Sequence, residues 1–207
     1  MTTNELLKIG SNFLKQNNIK SYMIDSELIL SSVSGQTRES FLVKSELILS
    51  KKQIKSFNNL IYRRALSKEP LAYLLNKKEF WSIELGINKD ALIPRPETEI
   101  LVDKLVKYYN DRSPFILDIG TGSGCIIISL LHEFKKSRGI AIDISNKALK
   151  IAKKNSKLND TFERIKFVNS SISNFNSFKF DLIVSNPPYI ASHQLKNLDE
   201  DVKNFEP

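Results

Sequence analysis

Phe115-Ile116-Leu117-Asp118-Ile119-Gly120-Thr121-Gly122-Ser123-Gly124-Cys125 is the stretch on which the fold turns. Phe115–Ile119 is mostly apolar and reads as a short buried strand. Gly120–Gly124 reads as a loop, because glycine turns tightly and lets the main chain come close to a ligand. The apolar run from Cys125 to Phe134 reads as a helix. Strand, glycine loop and helix in this order open a parallel α/β sheet, in which ligands bind beyond the carboxyl ends of the strands.

The residues downstream repeat the pattern. Gly139–Ile142 is a second strand, and Ser145 caps a helix that runs through about Leu158. Ile165–Val168 is a third strand, Asn169–Phe178 a polar loop and Phe180–Ser185 a fourth strand. The alternation predicts a parallel, doubly wound sheet. Upstream, Trp81, Ile83, Leu85 and Ile87 alternate with polar residues or glycine, as a strand does. Asn88-Lys89-Asp90 is turn chemistry and Ala91-Leu92-Ile93 a second short strand, so residues 79–95 read as a β-hairpin linker. Pro96 and the acidic residues after it suit a helix start, with the helix running to about Tyr109. Residues 1–78 read as a small helical domain. Thr2 and Glu5 form a capping box, Ser50 caps a longer helix, and apolar residues recur at helical spacing. Residues 96–207 make the α/β domain.

Chemistry concentrates at the carboxyl ends of the predicted strands. After the fourth comes Ser185-Asn186-Pro187-Pro188-Tyr189-Ile190. Two prolines end the strand, since each fixes φ and removes an N–H. The carbonyls of Asn186 and Pro187 and the Asn186 side chain are then free to bond a planar NH2 group, with Tyr189 as an aromatic wall. A rigid turn after a strand is the simpler alternative. Asp143 follows the second strand and suits the two hydroxyls of a ribose, or alternatively a helix entry before Ser145. Asp118 braces the glycine loop or meets a ligand's ammonium group. After the third strand comes Asn169-Ser170-Ser171-Ile172, with no acid. The glycine spacing misses the dinucleotide fingerprint by one position, where Cys125 stands. His132 and His193 show no ligand spacing, and no metal site is predicted.

Composition narrows the classes further. With 207 residues and 41% hydrophobic content, the chain has material for one large domain or two small ones. One cysteine excludes a disulfide framework and fits a reducing cytoplasm. No apolar run approaches the about 18 residues of a membrane span, and the start does not resemble a signal peptide. The net charge of +8 is mostly lysine. It reflects either compositional bias or a basic surface that makes weak contact with RNA, a ribosome or an acidic partner.

Asn-Pro-Pro-Tyr in this setting resembles the signature of methyltransferases acting on exocyclic or amide nitrogens, and the glycine loop resembles the first motif of S-adenosylmethionine (AdoMet) methyltransferases. Where many AdoMet methyltransferases place an acid near the adenine, after the third strand, Ser171 or Ile172 stands here. Further blocks occur in order: Glu69-Pro70-Leu71-Ala72-Tyr73-Leu74, Glu79-Phe80-Trp81, Leu92-Ile93-Pro94-Arg95-Pro96-Glu97-Thr98-Glu99, and Ala141-Ile142-Asp143-Ile144-Ser145. Together they resemble the release-factor glutamine methyltransferase family (PrmC/HemK) over nearly the whole chain. The resemblance implies a Rossmann-like class I AdoMet methyltransferase fold. It implies N5-methylation of the glutamine in the Gly-Gly-Gln motif of peptide-chain release factors, and a helical N-terminal domain that recognises substrate. It places AdoMet against Asp118, Gly120, Thr121, Gly122, Ser123, Gly124, Asp143, Ser171 and Asn186. Asn186, Pro187 and Tyr189 are then catalytic. Pro188, Arg95 and Glu97 join them in binding substrate. The family's sheet has further strands after Pro207, so a sheet lacking its C-terminal strands is expected here. Two alternatives stay open: an adenine N6-methyltransferase acting on nucleic acid, and a non-catalytic AdoMet-binding module.

Overall fold

The computed structural model describes residues 1–43, 47–110, 112–176, 179–187 and 204–207. They fall into two compact units, the first built on Met1–Leu75, the second on Asn76–Asp199 with Glu206–Pro207.

The first unit is helical: α1 (Thr3–Gln16), α2 (Tyr22–Ser34), α3 (Arg38–Val43), α4 (Lys51–Leu66) and α5 (Leu71–Leu75). Local chemistry sets the ends. The Thr2 hydroxyl accepts from the Glu5 amide while the Glu5 carboxylate accepts from the Thr2 amide, and Ser50 and Gln53 repeat the arrangement at α4. Gly35 ends α2 with φ of 71°. Leu6, Leu14, Ile29, Leu30 and Phe57 are fully buried at the centre. Each stabilises the unit by roughly 1.5–3 kcal/mol through loss of water contact. Arg64 and Asp25 form a buried ion pair at 2.7 Å beside this core.

The second unit opens with a hairpin of β1 (Lys77–Phe80) and β2 (Ile83–Gly86). The pairing lies earlier in the chain than the alternation suggests, and Ala91–Ile93 carries no strand. The reason is a two-residue turn at Trp81 and Ser82, both with positive φ (51° and 56°). Such turns match the twist of the flanking strands but usually need Asn or Gly. Here tertiary bonds hold the costly conformation. The Trp81 amide donates to Glu99 Oε1 at 2.9 Å, and its indole Nε1 to Glu133 Oε1 at 2.7 Å.

Then come α6 (Pro96–Tyr109), β3 (Phe115–Ile119), α7 (Cys125–Glu133), β4 (Arg138–Asp143), α8 (Asn146–Leu158), β5 (Ile165–Asn169) and β6 (Leu182–Ser185). The four strands from β3 to β6 form one parallel sheet in the order β5-β4-β3-β6. This is the Rossmann-like class I methyltransferase arrangement. Leu117, Ile140 and Ile142 are buried in the sheet, and Ile127, Ile128, Leu130 and Leu131 of α7 are fully buried. The register aligns Ile119 with Ile142 and Ser185, and Asp143 with Asn169. The segments following all four strands therefore emerge along one edge of the sheet. The winding reverses between β3 and β6, which sets the glycine loop beside Asn186 at a topological switch point.

Candidate active site

The glycine loop is held by the strand next to it. The amides of Gly120 and Thr121 both donate to the Ile142 carbonyl, at 2.9 and 3.0 Å, and the Gly124 amide donates to the Thr121 carbonyl at 2.8 Å. Gly124 caps α7 with φ of 82°. A Cβ there would stand 2.8 Å from Ile128 Cδ1 and 3.2 Å from Ala152 Cβ. That position therefore needs glycine for both conformation and packing, whereas a Cβ at Gly120 would meet nothing within 4 Å. Gly120 is exposed and Gly122 half-buried, so the outer turn of the loop stays open to a ligand.

Two carboxylates flank the loop. Asp143 Oδ2 accepts from the Gly122 amide at 2.9 Å, and its Oδ1 from the Ser145 amide at 2.8 Å. The ribose-contact and helix-entry readings of Asp143 are thus compatible: it ties the loop to the start of α8, and each oxygen keeps a second lone pair. Asp118 is buried. Its Oδ2 accepts from the Thr121 hydroxyl at 2.7 Å, while Oδ1 is buried with no partner. Burial pushes the Asp118 carboxyl up to about 6, against the opposing pull of the Thr121 hydroxyl. An orphaned, partly protonated buried carboxyl at the base of a glycine loop fits a cationic ligand that would supply the missing partner. Burial and the Asp118 charge push the Cys125 thiol up to about 12, so it is no nucleophile at neutral pH.

Asn186 follows β6. Ser185 secures the strand end by donating its hydroxyl to the Ile119 carbonyl at 2.8 Å. Asn186 is half-buried, and its Nδ2 donates to the Thr98 hydroxyl at 3.3 Å. Thr98 is 7% exposed and sits in the first turn of α6. The contact leaves the Asn186 side-chain oxygen as an acceptor toward the site. Pro187 is exposed. Pro188 and Tyr189, given roles above, lie outside the described residues.

Ser171 is half-buried and opens a 3-10 turn (Ile172–Asn174), its carbonyl accepting from the Ser170 hydroxyl and the Asn174 amide. Before it, Asn169 donates to the carbonyls of Asp143 and Ile144, both at 2.9 Å, which binds this segment to the Asp143 corner. Arg95 forms an ion pair with Glu206 at 2.6 Å, and Glu97 is exposed. The structure thus gathers Asp118, Thr121, Gly122, Asp143 and Asn186 at one edge, with Arg95 capping the helix whose Thr98 bonds Asn186 and itself paired with Glu206.

Some bracing residues carry no sequence signal. Asn155 of α8 is 1% exposed. It donates to the carbonyls of Ser123 and Gly86 at 2.9 and 3.0 Å and accepts from the Gly86 amide at 2.7 Å. One side chain thereby fastens the glycine loop to the hairpin. Thr98 and Glu99 were legible only as members of a helix start, although one holds Asn186 and the other Trp81.

Among the described residues no group of three or more His, Cys, Asp or Glu side chains is placed to hold a metal ion. No described helix is long and apolar enough to cross a membrane.

Two families match: the Methyltransferase small domain over residues 96–202 and the PrmC N-terminal domain over residues 5–75. Among curated relatives, a release factor glutamine methyltransferase of Buchnera aphidicola subsp. Schizaphis graminum is 43% identical over 86% of this chain and 64% of its own length. That of Buchnera aphidicola subsp. Acyrthosiphon pisum is 41% identical over 96% of this chain and 71% of its own. That of Caulobacter vibrioides is 37% identical over 94% and 68% respectively. The chain thus spans about two thirds of the length of these three relatives. Both matched segments and the identity across them agree with the glycine loop, the Asp143 corner and the Asn186 turn: the chain belongs to the release factor glutamine methyltransferase family.

Proposed function

We propose that the protein transfers a methyl group from AdoMet to N5 of the glutamine in the Gly-Gly-Gln motif of peptide-chain release factors. The observation that carries this reading is the setting of Asn186: at the end of β6, next to the glycine loop of β3, with its amide nitrogen turned onto Thr98. A side-chain oxygen fixed in this way accepts a hydrogen bond from a substrate carboxamide and orients its nitrogen. A carboxamide nitrogen is a poor nucleophile because its lone pair is delocalised. Acceptors at Asn186 Oδ1 and the Pro187 carbonyl stabilise the positive charge that develops as the nitrogen gains the methyl. The nitrogen's proton then leaves to water, with no strong base required.

When bound, AdoMet supplies a methyl made electrophilic by its sulfonium. Gly120–Gly124 gives the main chain a close approach to it, Asp143 suits its ribose hydroxyls and Asp118 its positive charge. Ser171, following β5, contacts its adenine on this reading. Tyr189 and Pro188 complete the substrate side, and the helical domain of residues 1–78 recognises the release factor, joined by the linker of residues 79–95.

The deciding experiment is transfer from methyl-labelled AdoMet to a purified release factor, beside the same factor with Ala for Gln in its Gly-Gly-Gln motif. Label on the normal factor alone is expected. Label on both, or on added nucleic acid and not on the factor, overturns the proposal.

A further inference from the structure

The charge of the second unit is sharply divided. Residues 134–166 hold ten Lys or Arg against three Asp or Glu, a net of +7, while the rest of residues 76–207 holds ten against fourteen, a net of −4. The basic stretch comprises α8 and the starts of β4 and β5. On α8, Lys150, Lys153, Lys154 and Lys157 are all exposed, and the helix contains no acidic residue. Lysines three and four apart repel one another on a helix face, so the row weakens its own helix. Lys147, at the other end, meets Asp90 at 3.6 Å. The row continues onto aromatic ground. Lys153 stands over the Phe167 ring at 5.9 Å and Lys157 over the Phe162 ring at 4.7 Å, the two rings being stacked on each other at 6.2 Å. Arg138 and Lys166 share a separate concavity on the other face of the sheet, with Glu163 on its wall.

The lysine row runs along α8 from one turn beyond the Asp143 corner to Lys157, near the starts of β4 and β5. Arg138 begins β4 and Asp143 ends it, a separation of roughly 17 Å at about 3.3 Å per residue.

We infer that the exposed face of α8, with the Phe162 and Phe167 rings beside it, binds single-stranded RNA through its phosphate backbone. Lys150, Lys154 and Lys157 follow the helix in steps of roughly 6 and 4.5 Å, suited to a linear polyanion. Lysine offers point charges that accept phosphates in varied orientations, where a site for carboxylates favours the arginine fork. Rings interleaved with cations are what unstacked bases pack against. The contact is independent of base sequence and strongly dependent on salt.

The test uses the full chain, a fluorescein-labelled RNA of twenty mixed nucleotides and anisotropy titrations at several KCl concentrations. Lys150→Gln, Lys154→Gln and Lys157→Gln are combined in one variant. Lys51→Gln, Lys52→Gln and Lys55→Gln on α4 remove the same charge elsewhere. Each lost phosphate contact lowers the salt slope by about 0.7, so the α8 variant loses about 2 in slope and binds about 100-fold more weakly near 0.1 M salt. The α4 variant stays within about threefold of the parent on this reading, and arginine at the three α8 positions keeps the binding. Equal losses in both glutamine variants, no measurable RNA binding by the parent, or α8-dependent binding of polyglutamate but not RNA overturns the inference.

Discussion

Replacing Asp118 by Asn separates what this carboxyl costs the fold from what it does for a ligand. Burial raises its pKa from the ordinary 3.8 to about 6. The folded protein therefore keeps a proton that the unfolded chain sheds between those values. Below pH 3.8 both states are neutral and the group costs nothing. As pH rises toward 6 the folded state loses about 1.4 kcal/mol per unit, levelling at about 3 kcal/mol above it. Asp118→Asn removes this dependence, at the expense of a charge-assisted bond from Thr121 worth about 1 kcal/mol more than a neutral one. The stability of the variant relative to the parent should thus climb by about 2 kcal/mol between pH 4 and pH 7. Urea unfolding followed by Trp81 fluorescence measures it, since Trp81 is the only tryptophan and lies in the same unit as Asp118. A difference that stays flat with pH, or falls, refutes the argument from burial. The same variant tests the ligand role by calorimetry. AdoMet affinity of the parent should rise with pH up to about 6 and then level, as the carboxylate forms. The variant should bind at least tenfold more weakly above pH 6, with no such pH dependence. A variant that binds AdoMet as tightly as the parent removes Asp118 from the site.

Asn186→Ala should slow methyl transfer by about 100-fold or more while AdoMet affinity, read by calorimetry, moves less than about threefold; equal losses in the two count against the acceptor role. Thr98→Val deletes the hydroxyl that holds the Asn186 amide and should lower kcat by about tenfold with little change in KM for AdoMet, with Ser restoring much of it. Gly124→Ala adds a Cβ 2.8 Å from Ile128 Cδ1 in a backbone conformation Ala avoids, and should destabilise the protein by about 3 kcal/mol in urea titrations. Gly120→Ala, with nothing within 4 Å, should cost only about 1 kcal/mol.

The parts of the fold that could be read from the sequence are those that local chemistry decides. The strands of the parallel sheet are apolar runs bounded by glycine, serine or proline. Thr2, Ser50 and Ser145 cap helices where the spacing put them. The neighbourhood of Asn186 and the glycine loop was reachable by topology alone, because a doubly wound sheet brings the ends of β3 and β6 together. The hairpin was misjudged because Trp81 and Ser82 are not turn formers. Their conformation is imposed by Glu99 and Glu133, which lie 18 and 52 positions away. Long-range polar contacts of this kind leave no periodic trace in a sequence. Asn155 is the clearest example: an amide in a lysine-rich helix reads as a surface residue, yet it is buried and bonded to two other elements.

The Ile93–Glu99 block shows how such hidden contacts change the meaning of a motif. As a string it suggests ligand-binding charge, since arginine and glutamate stand close together. In the structure its charges point to different tasks: Arg95 to Glu206, Glu99 to the amide of Trp81, and exposed Glu97 to neither. The residue of the block that touches the candidate site is the uncharged Thr98, buried at the first turn of α6. A threonine there does what a charge could not. Its hydroxyl accepts from the Asn186 amide without adding a formal charge where positive charge develops on a substrate nitrogen. A carboxylate in its place would also hold that amide, but would be costly to bury without a cation. A lysine would repel the developing charge. Within the block one small polar side chain thus holds the Asn186 amide, while Arg95 and Glu99 fasten the surrounding scaffold.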